Sequence, residues 1–156
     1  VQELKIYLTD ENLVEPAAQT LLSVGGKPAA HAFLEALPAA PEKCKPTLIK
    51  ALGELQCIGA VGLITPYATD KNIVLKKTAL EALAQIGDAG SYKTLLNAAK
   101  NANFNYEPAN ATEAFLNYAD RLGERNEPEL CKKAAERPIA RQKHCPSVTA
   151  RDATEA

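Results

Sequence analysis

The sequence has few aromatic residues: they make up 5% of the chain, and tryptophan is absent. Alanine and leucine dominate its apolar composition instead. Small side chains and strong helix formers favour helices that pack closely against one another. The composition therefore predicts an all-α fold.

An excess of charge of either sign is also missing, since 18 basic residues face 19 acidic ones and the formal net charge is −1. Such a chain has no overall field that attracts phosphate backbones or anionic lipids. No apolar run approaches the roughly 20 residues that a membrane-spanning helix requires. The opening residues VQELKIYLTD also lack the layout of a signal peptide. We therefore expect neither nucleic acid nor a membrane as a partner.

Cysteine is scarce, and the four cysteines at positions 44, 57, 131 and 145 form no CxxC pair. Cys44 and Cys57 are expected at opposite ends of one helix, about 20 Å apart at 1.5 Å per residue. A disulfide needs Cα atoms within about 7 Å, so this pair cannot bridge. The adjacent His144 and Cys145 have no spaced partner pair that would complete a metal site. We predict no metal and no cofactor.

The most informative pattern is a phrase that occurs twice, as YLTDENLV at residues 7–14 and as YATDKNIV at residues 67–74. Around it, apolar residues recur at spacings of three and four, as in amphipathic helices. Steps of 31, 31 and 36 residues superimpose three apolar rows, which predicts four copies of one helix. The rows are Leu21, Leu52, Leu83 and Ala119; Ala18, Ile49, Leu80 and Leu116; and Val24, Leu55, Ile86 and Leu122.

A second helix is predicted after each first helix, because the 31-residue step also superimposes a second set of apolar residues. Gly25 and Gly87 suit the left-handed conformation that ends many helices. Asp88 is expected to cap a second helix, and Asp10 and Asp70 of the repeated phrase fall in turns between copies. The superimposed residues are Ala30, Phe33 and Leu37; Val61, Ile64 and Ala68; and Tyr92, Leu95 and Ala99.

Two-helix units of 31 residues bury their apolar faces only by stacking in tandem. The stretch from Asp70 to Ala99, DKNIVLKKTALEALAQIGDAGSYKTLLNAA, resembles the HEAT repeat in its aspartate, its Leu75-Lys76 pair and its Ile-Gly-Asp junction. The resemblance implies a right-handed α-α superhelix over residues 2–137, with about four two-helix repeats. Residues 2–8 are expected to be an orphan second helix of a preceding repeat.

The family ties neighbouring repeats together with an aspartate-to-arginine ladder, which is expected to be incomplete here. The basic position is lysine at Lys45 and Lys76, but Val14 and Thr112 stand there in the first and fourth copies. After Arg137 the periodicity stops, and residues 138–156 are predicted to be a disordered polar tail or linker.

The segment NFNYEPANATEAFLNYADRLGERNEPELCKKA, with YLTDENLVEPAAQTLL and KALGELQ, resembles a second group of proteins. These are multidomain bacterial secreted or periplasmic proteins whose helical repeats accompany a 3-keto-disaccharide hydrolase domain. The resemblance implies a periplasmic or secreted location, with the cytoplasm as the alternative. The chain starts at Val1 rather than Met, which we interpret as a segment of a longer protein. Nothing of the β-sandwich hydrolase domain occurs in the sequence, so no catalytic residue is assigned.

Enzymatic function is not predicted. The chain has two histidines and no His-Glu dipeptide of the kind found in HEAT-type di-iron hydroxylases, and it lacks the tryptophans of HEAT-like DNA glycosylases. GAVG at residues 59–62 has no following Lys-Ser/Thr, as a P-loop requires. We predict a non-catalytic scaffold or protein–protein interaction module, whose partner is another protein or a neighbouring domain.

Binding is expected on the face formed by the second helices, since solenoids bind through their concave surfaces. Its solvent-facing rows are predicted to be His31, Gly62, Lys93 and Glu129, and Glu35, Pro66, Asn97 and Lys133. The five-residue expansion in NANFNYEP adds Phe104 and Tyr106, which serve either recognition or, as we favour, filling of the core. The alternative function is an accessory domain that helps an adjoining hydrolase domain hold carbohydrate through exposed tyrosines.

Overall fold

The computed structural model describes residues 2–124, and every regular element among them is helical. The all-α prediction is thereby confirmed. The expectations for residues 125–156, including Glu129, Lys133, the polar tail and the His144-Cys145 pair, lie outside the described residues. The α-helices are α1 (Gln2–Lys5), α2 (Val14–Val24), α3 (Gly26–Ala36), α4 (Lys45–Glu54), α5 (Val61–Ile64), α6 (Ile73–Ile86), α7 (Tyr92–Asn101) and α8 (Ala111–Glu124).

The repeated phrase folds into the same turn twice. Asp10 Oδ1 accepts a hydrogen bond from the backbone N–H of Asn12 at 2.8 Å, and Asp70 Oδ1 accepts one from that of Asn72 at 2.7 Å. Each turn follows a 3₁₀ segment, Ile6–Thr9 in the first case and Thr65–Thr69 in the second. Both aspartates are therefore turn residues, as the sequence predicts.

Side-chain caps and glycines determine where the long helices begin and end. The Asn72 side chain accepts from the N–H groups of Val74 and Leu75 at the start of α6, satisfying donors that have no partner inside the helix. Gly87 ends α6 with a φ of 64°, and Gly25 ends α2 with a φ of 65°. Gly87 has the left-handed αL conformation predicted for it, whereas Gly25 combines its positive φ with an extended ψ of −169°.

The middle second helix is the least regular of the three. Only Val61–Ile64 is α-helical, and 3₁₀ segments flank it on both sides, at Ile58–Ala60 and Thr65–Thr69. Pro66 supplies no N–H for a helical hydrogen bond. The Thr65 hydroxyl donates to the carbonyl of Val61 at 2.7 Å and so competes with the helical ladder. Short 3₁₀ pieces are the usual result of such local interference.

Burial in the first three copies follows the 31-residue period. Leu21, Leu52 and Leu83 each have 0% exposure. The second helices agree, with one buried row at Phe33, Ile64 and Leu95 and another at Leu37, Ala68 and Ala99. The period also places Ala29, Ala60 and Ser91 at equivalent buried positions, where small side chains permit close packing. Four predicted apolar rows, including Ala18, Ile49 and Leu80, are confirmed here. The predicted row of Ala30, Val61 and Tyr92 is only half-buried, and so is Leu55.

Three further predicted core positions, Val24, Leu116 and Ala119, are not buried. Val24 is 59% exposed, because it is the last residue of α2 and the chain reverses at Gly25. In α8, Leu122 is buried, but Leu116 and Ala119 are only half-buried. Their places in the core are taken by Phe115 and Tyr118.

The aromatic rings of α8 explain this rotation of its buried face. The Tyr118 and Tyr92 rings are 6.5 Å apart, and the Phe115 and Tyr92 rings are 6.3 Å apart. Large side chains bury more apolar area than leucine or alanine does. The helix therefore turns towards its aromatic residues.

The first helices pack in series, since α4 contacts α2 and α6, and α6 in turn contacts α8. Gly53 allows the close approach of α4 to α6: a Cβ atom at this position would lie 2.9 Å from the Cα of Ala82. Polar contacts also join successive copies. Lys43 pairs with Glu11 at 2.8 Å, and the Thr47 hydroxyl donates to Glu15 at 3.0 Å.

Candidate functional site

The predicted binding residues of the first copy form a local ion-pair network. His31 Nδ1 lies 3.6 Å from Glu35 Oε1 on the same helix, and the ammonium of Lys5 binds the other Glu35 oxygen. The hydrogen bond from Lys5 lowers the pKa of the Glu35 carboxyl. The network joins α1 to α3, so the structure assigns Glu35 a role in attaching the N-terminal helix.

The predicted solvent rows are exposed throughout the described residues. His31, Gly62 and Lys93 form one exposed row, and Glu35, Pro66 and Asn97 form the other. The His31–Glu35 pair and the Lys93–Asn97 pair lie on α3 and α7, two copies apart. The six residues therefore make up a surface rather than one compact site.

Asn97 lines a cleft of about 490 Å³ between the 3₁₀ segment Thr65–Thr69, α6 and α7. We call this cleft the Lys76 groove. Apolar contacts come from Pro66, Ala68 and Ala98. The remaining residues all carry hydroxyl, amide or ammonium groups: Thr65, Thr69, Lys76, Thr94, Asn97 and Asn101. Sequence reasoning identified Lys76 only as a ladder position, although it lines a groove together with Pro66 and Asn97 of the second-helix face.

Lys76 forms no ion pair within residues 2–124, whereas its neighbour Lys77 lies 3.9 Å from Glu81. No aspartate or glutamate lines the groove. The nearby carboxylate of Glu107 is engaged elsewhere, accepting from the N–H groups of Ala109 at 2.8 Å and Ala111 at 2.9 Å. The Lys76 groove is therefore a polar cavity that carries a positive charge and has no acidic residue in its lining.

Glu107 is a capping residue that the sequence analysis missed. Burial alone would raise the pKa of its carboxyl, but the hydrogen bonds from Ala111 and Ala109 outweigh burial and lower the pKa. The Lys76 ammonium contributes a smaller lowering. A carboxylate bound to N–H groups at a helix start is stabilised by the helix dipole. The signal in the sequence is a glutamate four residues before the first residue of α8.

Phe104 and Tyr106 lie in the same loop but in different environments. The Phe104 ring is half-buried, 6.4 Å from the Phe115 ring, so the expectation of core filling holds for it. Tyr106 is 90% exposed, so that expectation is wrong for Tyr106. Asn103 and Phe104 have φ angles of 49° and 53°. Phe104 thus adopts a conformation that is unfavourable for a bulky residue, and burial of its ring offsets this cost.

Tyr106 borders a second cleft, of about 430 Å³, which we call the α8 cleft. Apart from Leu116, its other walls carry polar side chains: Asn105, Glu107, Asn110, Thr112, Glu113, Asn117 and Asp120. A neighbouring cleft of about 390 Å³ between α6 and α8 adds Glu81 and Arg121. This side of the molecule is acidic, in contrast to the Lys76 groove.

The two cysteines of the described region are both free, as predicted. Cys44 is fully buried at the start of α4, and burial is the main reason that the pKa of its thiol is raised. A thiol with a raised pKa is a poor nucleophile. Between residues 2 and 124 there is no cluster of histidine, cysteine, aspartate or glutamate residues arranged for a metal ion.

None of the helices between Gln2 and Glu124 has both the length and the apolar character needed to cross a bilayer. The chain matches no protein-family model, and no curated protein is significantly similar to it. The resemblance to HEAT repeats is therefore supported only by the motif residues of the sequence itself.

Proposed function

We propose that the chain is a HEAT-type repeat scaffold that binds a protein partner, or a neighbouring domain, on its second-helix face and catalyses no reaction. The observation that carries the proposal is the 31-residue period of burial. Leu21, Leu52 and Leu83 occupy equivalent fully buried positions in three successive hairpins. Tandem hairpins of this kind present an extended surface suited to macromolecular partners.

The contacts between copies support the finer arrangement, a right-handed α-α superhelix of about four repeats. First helices pack in series from α2 to α8, and the Lys43–Glu11 pair joins two copies. Small-angle X-ray scattering of the whole chain would measure its shape. An elongated, curved envelope is expected for a solenoid, and a spherical one would argue against it.

A balanced net charge of −1 supports a protein partner over nucleic acid or a membrane surface. The proposal involves no cofactor. The resemblance to multidomain secreted or periplasmic proteins supports a location outside the cytoplasm, and a cytoplasmic location is the alternative. In either compartment the binding residues proposed are His31, Glu35, Lys93 and Asn97.

The test requires an identified partner. The full chain would capture proteins from a lysate, and the captured protein would then be purified and rebound by calorimetry. Lys93→Glu combined with Asn97→Ala should weaken this reconstituted binding at least about tenfold, because it reverses a charge and removes an amide within the contact. Lys50→Glu makes the same charge change on α4 and should leave binding unaltered. Equal effects of the two variants would refute a second-helix binding face.

A second candidate function, carbohydrate holding for an adjoining hydrolase domain, is supported by Tyr106. This ring is 90% exposed beside the asparagines of the α8 cleft, and aromatic rings beside polar groups suit sugar faces. Since the chain has no tryptophan, tyrosine fluorescence would report ligand contact directly. Titration with disaccharides should change the fluorescence of the wild type but not of Tyr106→Ala. Tyr7→Ala is the control, and no change in the wild type would eliminate this candidate.

A further inference from the structure

The second and third copies carry different residues beside their equivalent lysines. In the second copy the Lys45 ammonium lies over the ring of Tyr67, 5.4 Å from its centroid, which is within cation–π range. The 31-residue step carries Lys45 onto Lys76 and Tyr67 onto Ala98. Ala98 lines the Lys76 groove, so the cavity lies where the third copy has a methyl group in place of the ring.

Lys76 consequently lacks the partner that its equivalent has. No ring lies under its ammonium, and it pairs with no carboxylate in the described part of the chain. The Lys76 ammonium lowers the pKa of the Glu107 carboxyl, but this carboxylate lies outside the lining of the groove and accepts two backbone hydrogen bonds. A cation on the wall of a cavity without acidic lining residues attracts an anionic group from outside the domain.

The other groups of the groove suit a peptide carrying that anionic group. The amides of Asn97 and Asn101 and the hydroxyl of Thr94 make no side-chain hydrogen bond among residues 2–124. They are free to donate to carbonyl and carboxylate oxygens or to accept from N–H groups. Lys93 and Lys100 lie within one turn of Asn97 on α7, where helical spacing places them on adjoining parts of the surface. The surroundings are therefore basic as well.

We propose that the Lys76 groove binds an acidic peptide segment of a partner protein, with the Lys76 ammonium paired to a glutamate or aspartate side chain. The inference rests on the proposed scaffold function, because it specifies the chemistry of the partner recognised by the second-helix face. The open volume of about 490 Å³ accommodates a few residues of extended chain.

The experiment uses the full chain and fluorescein-labelled poly-L-glutamate, with binding followed by fluorescence anisotropy at low ionic strength, where charge pairs are least screened. Saturable binding is expected. Lys76→Gln should weaken it about fivefold, the effect of losing one solvent-accessible ion pair. Lys77→Gln removes the same charge from the adjacent residue and should bind like the wild type. Ala98→Tyr should weaken binding by at least about fivefold, because a ring at this position would lie against the Lys76 ammonium as the Tyr67 ring lies against Lys45 in the second copy.

Circular dichroism of each variant verifies the fold, and Lys76→Gln is decisive even if Ala98→Tyr fails to fold. Absence of saturable binding, or equal losses for Lys76→Gln and Lys77→Gln, would overturn the inference. Competition by sodium glutamate at equal carboxylate concentration would also overturn it, since a site for free anions needs no peptide. If Lys76→Gln has no effect while Lys93→Glu with Asn97→Ala still abolishes partner binding, the acidic-peptide inference fails and the scaffold proposal stands.

Discussion

The hydroxyl of Tyr118 donates a hydrogen bond to the backbone carbonyl of Asp88, 2.9 Å away and thirty residues earlier in the chain. The contact fixes α8 to the turn that follows α6. Tyr118 is fully buried, and its hydrogen bond to the half-buried Asp88 is partly shielded from water. Asp88 also accepts the N–H of Gly90 through its side chain. One residue thus begins a second helix and anchors the next first helix.

Replacing Tyr118 with phenylalanine should lower the free energy of unfolding by about 1 kcal/mol, because it removes one buried hydrogen bond and keeps the ring. Urea denaturation followed by circular dichroism would measure the change. Tyr106→Phe removes a hydroxyl from an exposed ring and serves as the control. A Tyr118→Phe protein as stable as the control would show that the hydrogen bond contributes nothing net.

Gly53→Ala should destabilise the protein by about 1–3 kcal/mol through overpacking, even though alanine favours a helix by up to about 1 kcal/mol over glycine. The new methyl would lie 2.9 Å from the Cα of Ala82, and a backbone atom cannot move aside as a flexible side chain can. Gly62→Ala is the matched control, since no atom lies within 4 Å of its Cβ position. Thermal melts should show a lower Tm for the first variant and an equal or higher Tm for the second. The reverse order would disprove the close helix contact.

Glu107→Gln should reduce stability at pH 7 by about 1 kcal/mol, the usual effect of weakening a helix cap. The folded-state pKa of Glu107 is lowered, so its stabilising contribution is complete above the unfolded pKa of about 4.3. That contribution is lost as the pH falls through the lower folded pKa. Denaturation at a series of pH values should therefore show wild type and variant converging in acid.

The control for this pH series is Glu42→Gln, because Glu42 is exposed and forms no ion pair in the described region. Its stability should follow that of the wild type at every pH. A Glu107→Gln protein that remains less stable than the wild type by a constant amount into acid would rule out the carboxylate cap.

Truncation of the equivalent leucines tests the repeat itself. Leu52→Ala should cost about 2–5 kcal/mol, the range for cavities in a rigid core, and Leu21→Ala and Leu83→Ala should fall in the same range. Val24→Ala should change stability by less than about 0.5 kcal/mol, because Val24 is 59% exposed. Unfolding of the four variants in guanidinium chloride would measure the change in the free energy of unfolding for each of them. A small effect at Leu52 would mean that the three positions are not equivalent.

The three regular copies could be predicted from the sequence because their core positions hold aliphatic residues of similar size. Such residues make burial follow spacing alone, as at Leu21, Leu52 and Leu83. The fourth copy could not be predicted in this way. Its buried face is determined by the two aromatic residues Phe115 and Tyr118, and a pattern of apolar residues does not show which large ring the fold will bury.

The candidate sites were less predictable, because they depend on contacts between elements. Spacing placed Lys93 and Asn97 on an exposed face, which is correct. Spacing could not distinguish the environments of Phe104 and Tyr106. The Phe104 ring contacts the Phe115 ring, whereas the Tyr106 ring is exposed to solvent. The Lys76 groove could not be predicted from the sequence either, because it depends on which residues of other helices lie beside the lysine.

The exchange of Tyr67 for Ala98 also bears on how such a molecule acquires new specificities. Tyr67 and Ala98 are only partly buried against the apolar core, whereas the rows that hold the hairpins together are fully buried. One aromatic-to-alanine exchange at this position therefore changes the surroundings of a surface lysine from one hairpin to the next, while the residues of the interior stay the same.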